Sequence, residues 1–98
     1  MIKIKELLNE SKYTLYHNSF TDACEEAIKL AKKSGYEIDE NDWFTAVATK
    51  YGRGRPSVGK TNKFQVQLLK NNTPSKRNLL FQVYGMENGK FELNVYIA

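Results

Sequence analysis

The stretch Leu79-Leu80-Phe81-Gln82-Val83-Tyr84-Gly85-Met86-Glu87-Asn88-Gly89-Lys90-Phe91-Glu92-Leu93-Asn94-Val95-Tyr96-Ile97 decides the fold. Leu79, Phe81 and Val83, then Phe91, Leu93, Val95 and Ile97, recur with period two, the spacing at which successive side chains of a strand share one face. Asn88-Gly89 marks a turn between two such strands, and the alternation fixes its length. A two-residue loop sets Gln82 opposite Val95 and mixes the faces. A three-residue loop, Glu87-Asn88-Gly89 with Gly89 left-handed, sets Val83 opposite Leu93, Phe81 opposite Val95 and Leu79 opposite Ile97. The second solution is expected, because a one-residue slip turns a whole apolar set to water.

Working backward, Phe64-Gln65-Val66-Gln67-Leu68 alternates in the same way and adds a third strand. The expected register places Leu68 opposite Leu79, Val66 opposite Phe81 and Phe64 opposite Val83, across a polar connection near Asn71 to Lys76. The apolar face of this meander needs a cover, and the sequence supplies one. Phe20, Ala23, Cys24, Ala27, Ile28 and Ala31 fall on one helical stripe, with Ser19 as N-cap, Asp22 at the third position, Lys32 and Lys33 in the last turn and Gly35 as a left-handed stop. Asp39-Glu40-Asn41-Asp42 reads as the negative start of a second, short helix carrying Trp43, Phe44, Ala46 and Val47; the acids lack the spacing and loop glycine of an EF-hand. Residues 1 to 10 fit a turn or two of helix with Ile4, Leu7 and Leu8 inward, and Tyr13 to Tyr16 a short strand. The expected architecture is α+β, helices on one face of an antiparallel β-meander of three strands or four.

One small domain, residues 1–98, accommodates all of this. A chain of 98 residues and 11.3 kDa has surface enough to bury for one two-layer core and too little for a larger enzyme scaffold. Hydrophobic residues make up 41% and charged residues 27%, the balance of globular chains, which argues against a disordered segment. The single cysteine, Cys24, excludes an internal disulfide, and together with the lack of a signal-peptide core points to an intracellular setting. No apolar run reaches the length of a membrane span, so no membrane partner is expected.

Charge is segregated along the chain. Residues 18–48 hold seven acids and three Lys, whereas residues 49–77 hold eight Lys and Arg and no acid. The basic loop, 49–63, joins the helical half to the meander and suggests an anionic partner. Within it, Gly54-Arg55-Pro56-Ser57-Val58-Gly59-Lys60-Thr61 matches the phosphate-loop pattern letter for letter. That pattern works only where a strand leads in and a helix N-terminus follows; here helix-like residues precede and an alternating strand follows. With one His, His17, there is no His pair for a metal, and Cys24 lies on the core stripe. No catalytic residue, metal, cofactor or small-molecule substrate is therefore expected.

Two binding surfaces remain. Arg53-Gly54-Arg55-Pro56 resembles the core of AT-hook peptides, although Gly52 stands where that family carries Pro or Lys. The resemblance implies Arg side chains lying in an A·T-rich minor groove, and Lys50, Arg53, Arg55, Lys60 and Lys63 form the candidate nucleic-acid contact. The second surface is the sheet face opposite the helices, where Gln65, Gln67, Gln82, Tyr84, Asn94 and Tyr96 form a polar, nearly uncharged candidate for protein contact or self-association, the latter through an edge strand. Protein is the first expected partner and nucleic acid the alternative.

Trp43-Phe44-Thr45-Ala46-Val47-Ala48-Thr49, Gly59-Lys60-Thr61-Asn62, Phe81-Gln82-Val83-Tyr84-Gly85-Met86 and Gly89 to Ile97 together resemble the running text of small uncharacterised proteins of marine tailed phages of the T4-like kind, over roughly residues 19–98. The resemblance implies an accessory or virion-assembly protein in the cytoplasm of a bacterial host or on the virion. It carries no active-site motif.

Overall fold

The structure, a computed structural model, describes residues 13–47 and 55–98. It is α+β: β1 (Tyr16–His17), α1 (Phe20–Lys33), β2 (Glu37–Ile38), α2 (Glu40–Ala46), β3 (Thr61–Lys70), β4 (Thr73–Gly85) and β5 (Phe91–Ile97). The strands form one antiparallel sheet in the order β1-β5-β4-β3-β2. The expected sheet of three or four strands is thus corrected to five: the short strand expected at Tyr13 to Tyr16 lies at Tyr16–His17, and Glu37–Ile38 adds a strand at the other edge, too short to leave a periodicity to read. The proposed helix of residues 1–10 lies outside the described residues.

The helices form where their end signals stand. Ser19 accepts the Asp22 N–H at α1's start (3.0 Å). At its end Tyr36 and Gly35 donate to the Ala31 and Lys32 carbonyls (3.0 and 3.1 Å), with Gly35 at φ 90°, a Schellman closure that only glycine adopts without strain. Asp39 caps α2 through the Asn41 and Asp42 N–H groups (3.1 and 3.2 Å). The stripe Phe20, Ala23, Cys24, Ala27, Leu30, Ala31 is buried against Phe64, Val66, Leu68, Leu79, Phe81, Val83, Phe91, Leu93 and Val95. Aromatic rings run through this core. Trp43 stacks on Phe81 (centroids 5.6 Å apart), Phe81 on Phe64 (4.9 Å), and Phe20 tilts against Phe64 and Phe91 (5.9 and 6.4 Å). Phe44, expected to accompany Trp43, is 62% exposed.

The β4–β5 turn takes the expected form. Val83 pairs with Leu93, Phe81 with Val95 and Leu79 with Ile97; Met86 donates to the Lys90 carbonyl (2.9 Å) around Glu87-Asn88-Gly89, and Gly89 sits at φ 78°. The β3–β4 register differs from expectation by two residues. Phe64 faces Phe81 and Val66 faces Leu79. The connection is tighter than expected: Asn71 and Asn72 both adopt positive φ (54° and 63°), and Lys70 pairs directly with Thr73. Such a pair of left-handed residues makes the primed turn whose twist suits a hairpin, and Asn accepts it better than most residues. The register then shifts between Gln67 and Leu69, where the Gln67 side-chain amide donates to the Ser75 and Leu68 carbonyls (2.8 and 3.2 Å).

Residues 55–60 fold back onto the end of β4. Val58 bridges Gly85 in parallel fashion, Gly59 donates to the Gly85 carbonyl (2.8 Å) and Gly85 donates to the Lys60 carbonyl (3.0 Å). A Cβ at Gly85 would lie 2.5 Å from the Ser57 carbonyl oxygen, so glycine is required there by close approach. Gly85→Ala is therefore expected to release the loop and cost about 1–3 kcal/mol. Amide exchange at Gly59 checks it: protection falls in Gly85→Ala and persists in Tyr96→Ser, an exposed position on the other face of the neighbouring strand.

Candidate functional site: the open face of the sheet

Both helices lie on one side, and no described element packs on the centre of the other. The pairing arranges that open face in rows. Thr61, Tyr84, Glu92 and Tyr16 line up across β3, β4, β5 and β1; Lys63, Gln82 and Asn94 form the next row; Gln65, Leu80 and Tyr96 the third. Burial alternates accordingly, with Phe64, Val66, Phe81, Val83, Leu93 and Val95 buried between them. Three tyrosines are exposed: Tyr16 at 55%, Tyr84 at 38% and Tyr96 at 52%. Across a non-hydrogen-bonded or hydrogen-bonded pair alike, neighbours in a row stand about 5 Å apart, so rings and amides form one contiguous surface.

The face is bounded at β3 by α2. Asp42 accepts the Gln67 backbone N–H (2.6 Å), and Asp39, Asn41, Asp42 and Thr45 form a shallow depression with Gln65, Gln67 and Asn78. Asp39 and Asp42 thus serve the helix cap and the strand edge. Among the described residues no group of three or more His, Cys, Asp or Glu side chains is arranged to hold a metal. His17 donates from Nε2 to the Thr14 carbonyl (2.7 Å), and the Cys24 side chain is buried at 1% exposure.

The two sequence-derived surfaces do not stay separate. Gln65, Gln67, Gln82, Tyr84, Asn94 and Tyr96 share the open face as their alternation requires, and Gln67 spends its amide on the bulge. Of the basic set, Lys50 and Arg53 lie outside the described residues. Arg55 stands with its guanidinium carbon 5.6 Å from the centroid of Phe91, a core ring, while Pro56 is buried. A minor-groove contact by Arg55 would have to give up this cation–π contact, worth about 0.5–1 kcal/mol where exposed. Lys60 is exposed where the loop meets Gly85. Lys63 pairs with Gln82 and so belongs to the open face. The glycine-rich run leads from Lys60 directly into strand β3, with no helix after it.

Sequence reasoning left Tyr16 out of the face and grouped Lys63 with the loop and not with the face it shares with Gln82. The second was readable, since Lys63, Gln65 and Gln67 continue one period-two series; Tyr16 joins the face only through a two-residue edge pairing that no pattern announces. No protein-family model, curated protein or solved structure matches the chain. No helix among the described residues is long and apolar enough to cross a membrane.

Because Tyr84 and Tyr96 are exposed (38% and 52%) and lie on the face away from the core, Tyr84→Ser and Tyr96→Ser are expected to change unfolding free energy by no more than about 0.5–1 kcal/mol. Urea unfolding followed by Trp43 fluorescence measures this, and a loss of several kcal/mol in either variant contradicts an exposed tyrosine face.

Proposed function

We propose that this protein is a non-catalytic recognition module whose contact surface is the open face of the sheet. The observation that carries the reading is the row arrangement of Tyr16, Tyr84 and Tyr96 with Gln65, Gln82 and Asn94 on a face that no described element covers at its centre. Tyrosine brings contact area at small cost in side-chain entropy, and amides pair with donors and acceptors alike, so the composition is that of the centres of recognition surfaces. The resemblance to phage proteins supports an accessory or assembly role for such a module, within a bacterial host or on a virion. Protein, a second copy of the chain and nucleic acid are the partner classes that rings and amides of this kind can serve. Pairing through a sheet edge has less support: β1 and β2 are two residues each, and α2 places Asp42 on the exposed edge of β3. The nucleic-acid reading gains one observation, the position of Lys63 within the face.

Photo-crosslinking separates the two sides of the molecule. A benzophenone amino acid placed at Tyr84 or Tyr96 in cells is expected to give a discrete higher-mass adduct, and the same group at Glu25 or Lys29, exposed on α1, is expected to give none. Adducts from α1 with none from the sheet would overturn the reading.

A further inference from the structure

Resting on the reading of the open face as the contact surface, we infer that its ligand is a single strand of nucleic acid, with bases stacked on Tyr84 and Tyr96 and phosphates met by lysines within and around the face. Three observations converge on this chemistry. The charge segregated along the chain is also segregated in space. Residues 13–47, which carry both helices, hold three Lys and seven Asp and Glu, whereas residues 55–98, which carry the three long strands, hold seven Lys and Arg and two Glu. An acidic partner is therefore drawn to the sheet layer and repelled by the helix layer.

The second observation is the placement of cations along the strand direction. Lys63 lies within the face, beside Gln82 and Asn94. Lys60 and Lys90, both exposed, stand at the end where β3 and β5 begin, and Lys76 and Arg77, also exposed, at the opposite end next to the Asn78–Ala98 pair. Basic groups thus flank the tyrosine face at both ends, as a backbone running along the strands requires.

The third is the spacing of the rings. Tyr84 and Tyr96 sit on adjacent strands four residues apart in register, since Tyr84 pairs with Glu92 and Leu80 with Tyr96. At about 3.4 Å per residue and about 4.8 Å between strands their Cα atoms are about 14 Å apart, a span a few nucleotides cover. Between them the row Gln82 and Asn94 offers amide donors and acceptors to base edges. Glu92, flanked by Tyr84 and Tyr16, disfavours phosphate at that point and suits the exocyclic amino group of a base. Asp39 and Asp42 border the face only at the β3 edge, where both carboxylates already accept backbone N–H bonds. Exposed rings are a platform for unstacked bases and offer little to a duplex, whose bases are already stacked. This preference separates the surface from a generic basic patch.

Fluorescence anisotropy of the full chain with labelled twelve-residue oligothymidylate, oligouridylate and a mixed-sequence duplex tests the inference. Single strands are expected to bind several-fold more tightly than the duplex at low salt, with oligothymidylate against oligouridylate distinguishing DNA from RNA as the source. With about three phosphates contacted, log affinity should fall against log salt with a slope of about −2. Tyr96→Ala and Tyr84→Ala should each weaken binding about tenfold while Tyr96→Phe, which keeps the ring, stays within about twofold of the parent. Circular-dichroism melts confirm that each variant is folded. Equal affinity for duplex and single strand, or binding that Tyr84→Ala and Tyr96→Ala leave unchanged, overturns the inference. Absence of binding at low salt also overturns it; if self-association sensitive to Tyr96→Ala is seen instead, the face still serves recognition and its ligand is protein.

Discussion

The stacking of Phe81 with Trp43 and Phe64 is the contact on which the rest of the structure depends. Phe81 is 1% exposed and sits on the central strand, stacked with both Trp43 from α2 and Phe64 from β3. Burying one such ring contributes about 1.5–3 kcal/mol and each well-formed ring pair about 0.5–1.5 kcal/mol more. Through Phe64 the rings continue to Phe20 and Phe91, so helix α1, helix α2 and strands β3, β4 and β5 are joined in one seam. All of it lies on one side of the sheet. Sealing that side commits Leu80, Gln82, Tyr84, Asn94 and Tyr96 to the other, because neighbours in a strand cannot share a face.

The same commitment has an electrostatic consequence. Two acids of the helical half serve a helix start and the β3 edge: Asp39 caps α2 and Asp42 takes the Gln67 N–H. The basic half of the chain becomes the sheet layer, and the loop that opens it is tied down by Gly85 and Arg55. What reads in sequence as a basic loop beside a separate polar sheet face is, among the described residues, joined in part: Lys63 stands on the β3 side of the face and further cations stand at its ends. Arg55 and Pro56 contribute to holding the described part of the loop, since Pro56 is buried and Arg55 rests on Phe91.

Much of this was legible, and the reasons for the rest are specific. The β4–β5 loop could be chosen from alternation alone because the competing loop differed by one residue and exchanged the faces. The β3–β4 register could not, because the competing register differed by two residues and left every face unchanged; the choice was made by Asn71 and Asn72 turning left-handed and by the Gln67–Ser75 bulge, neither of which leaves a periodic trace. The caps at Ser19, Asp39 and Gly35 were readable because each satisfies its own helix end locally. The edge strands and the Arg55–Phe91 contact depend on residues distant in sequence, and Tyr16 was missing from the candidate face for that reason.

A substitution series along β4 tests most directly whether the sheet is sealed on one side and open on the other. Replacing Leu79, Leu80, Phe81, Gln82, Val83 and Tyr84 singly by Ala and measuring unfolding free energy should give a saw-tooth. Losses of about 2–5 kcal/mol are expected at Leu79 and Phe81 and somewhat less at Val83, with changes within about 1 kcal/mol at Leu80, Gln82 and Tyr84. Costs at Leu80 and Tyr84 as large as that at Phe81 would contradict the account, because they would mean that the face read here as open is itself packed.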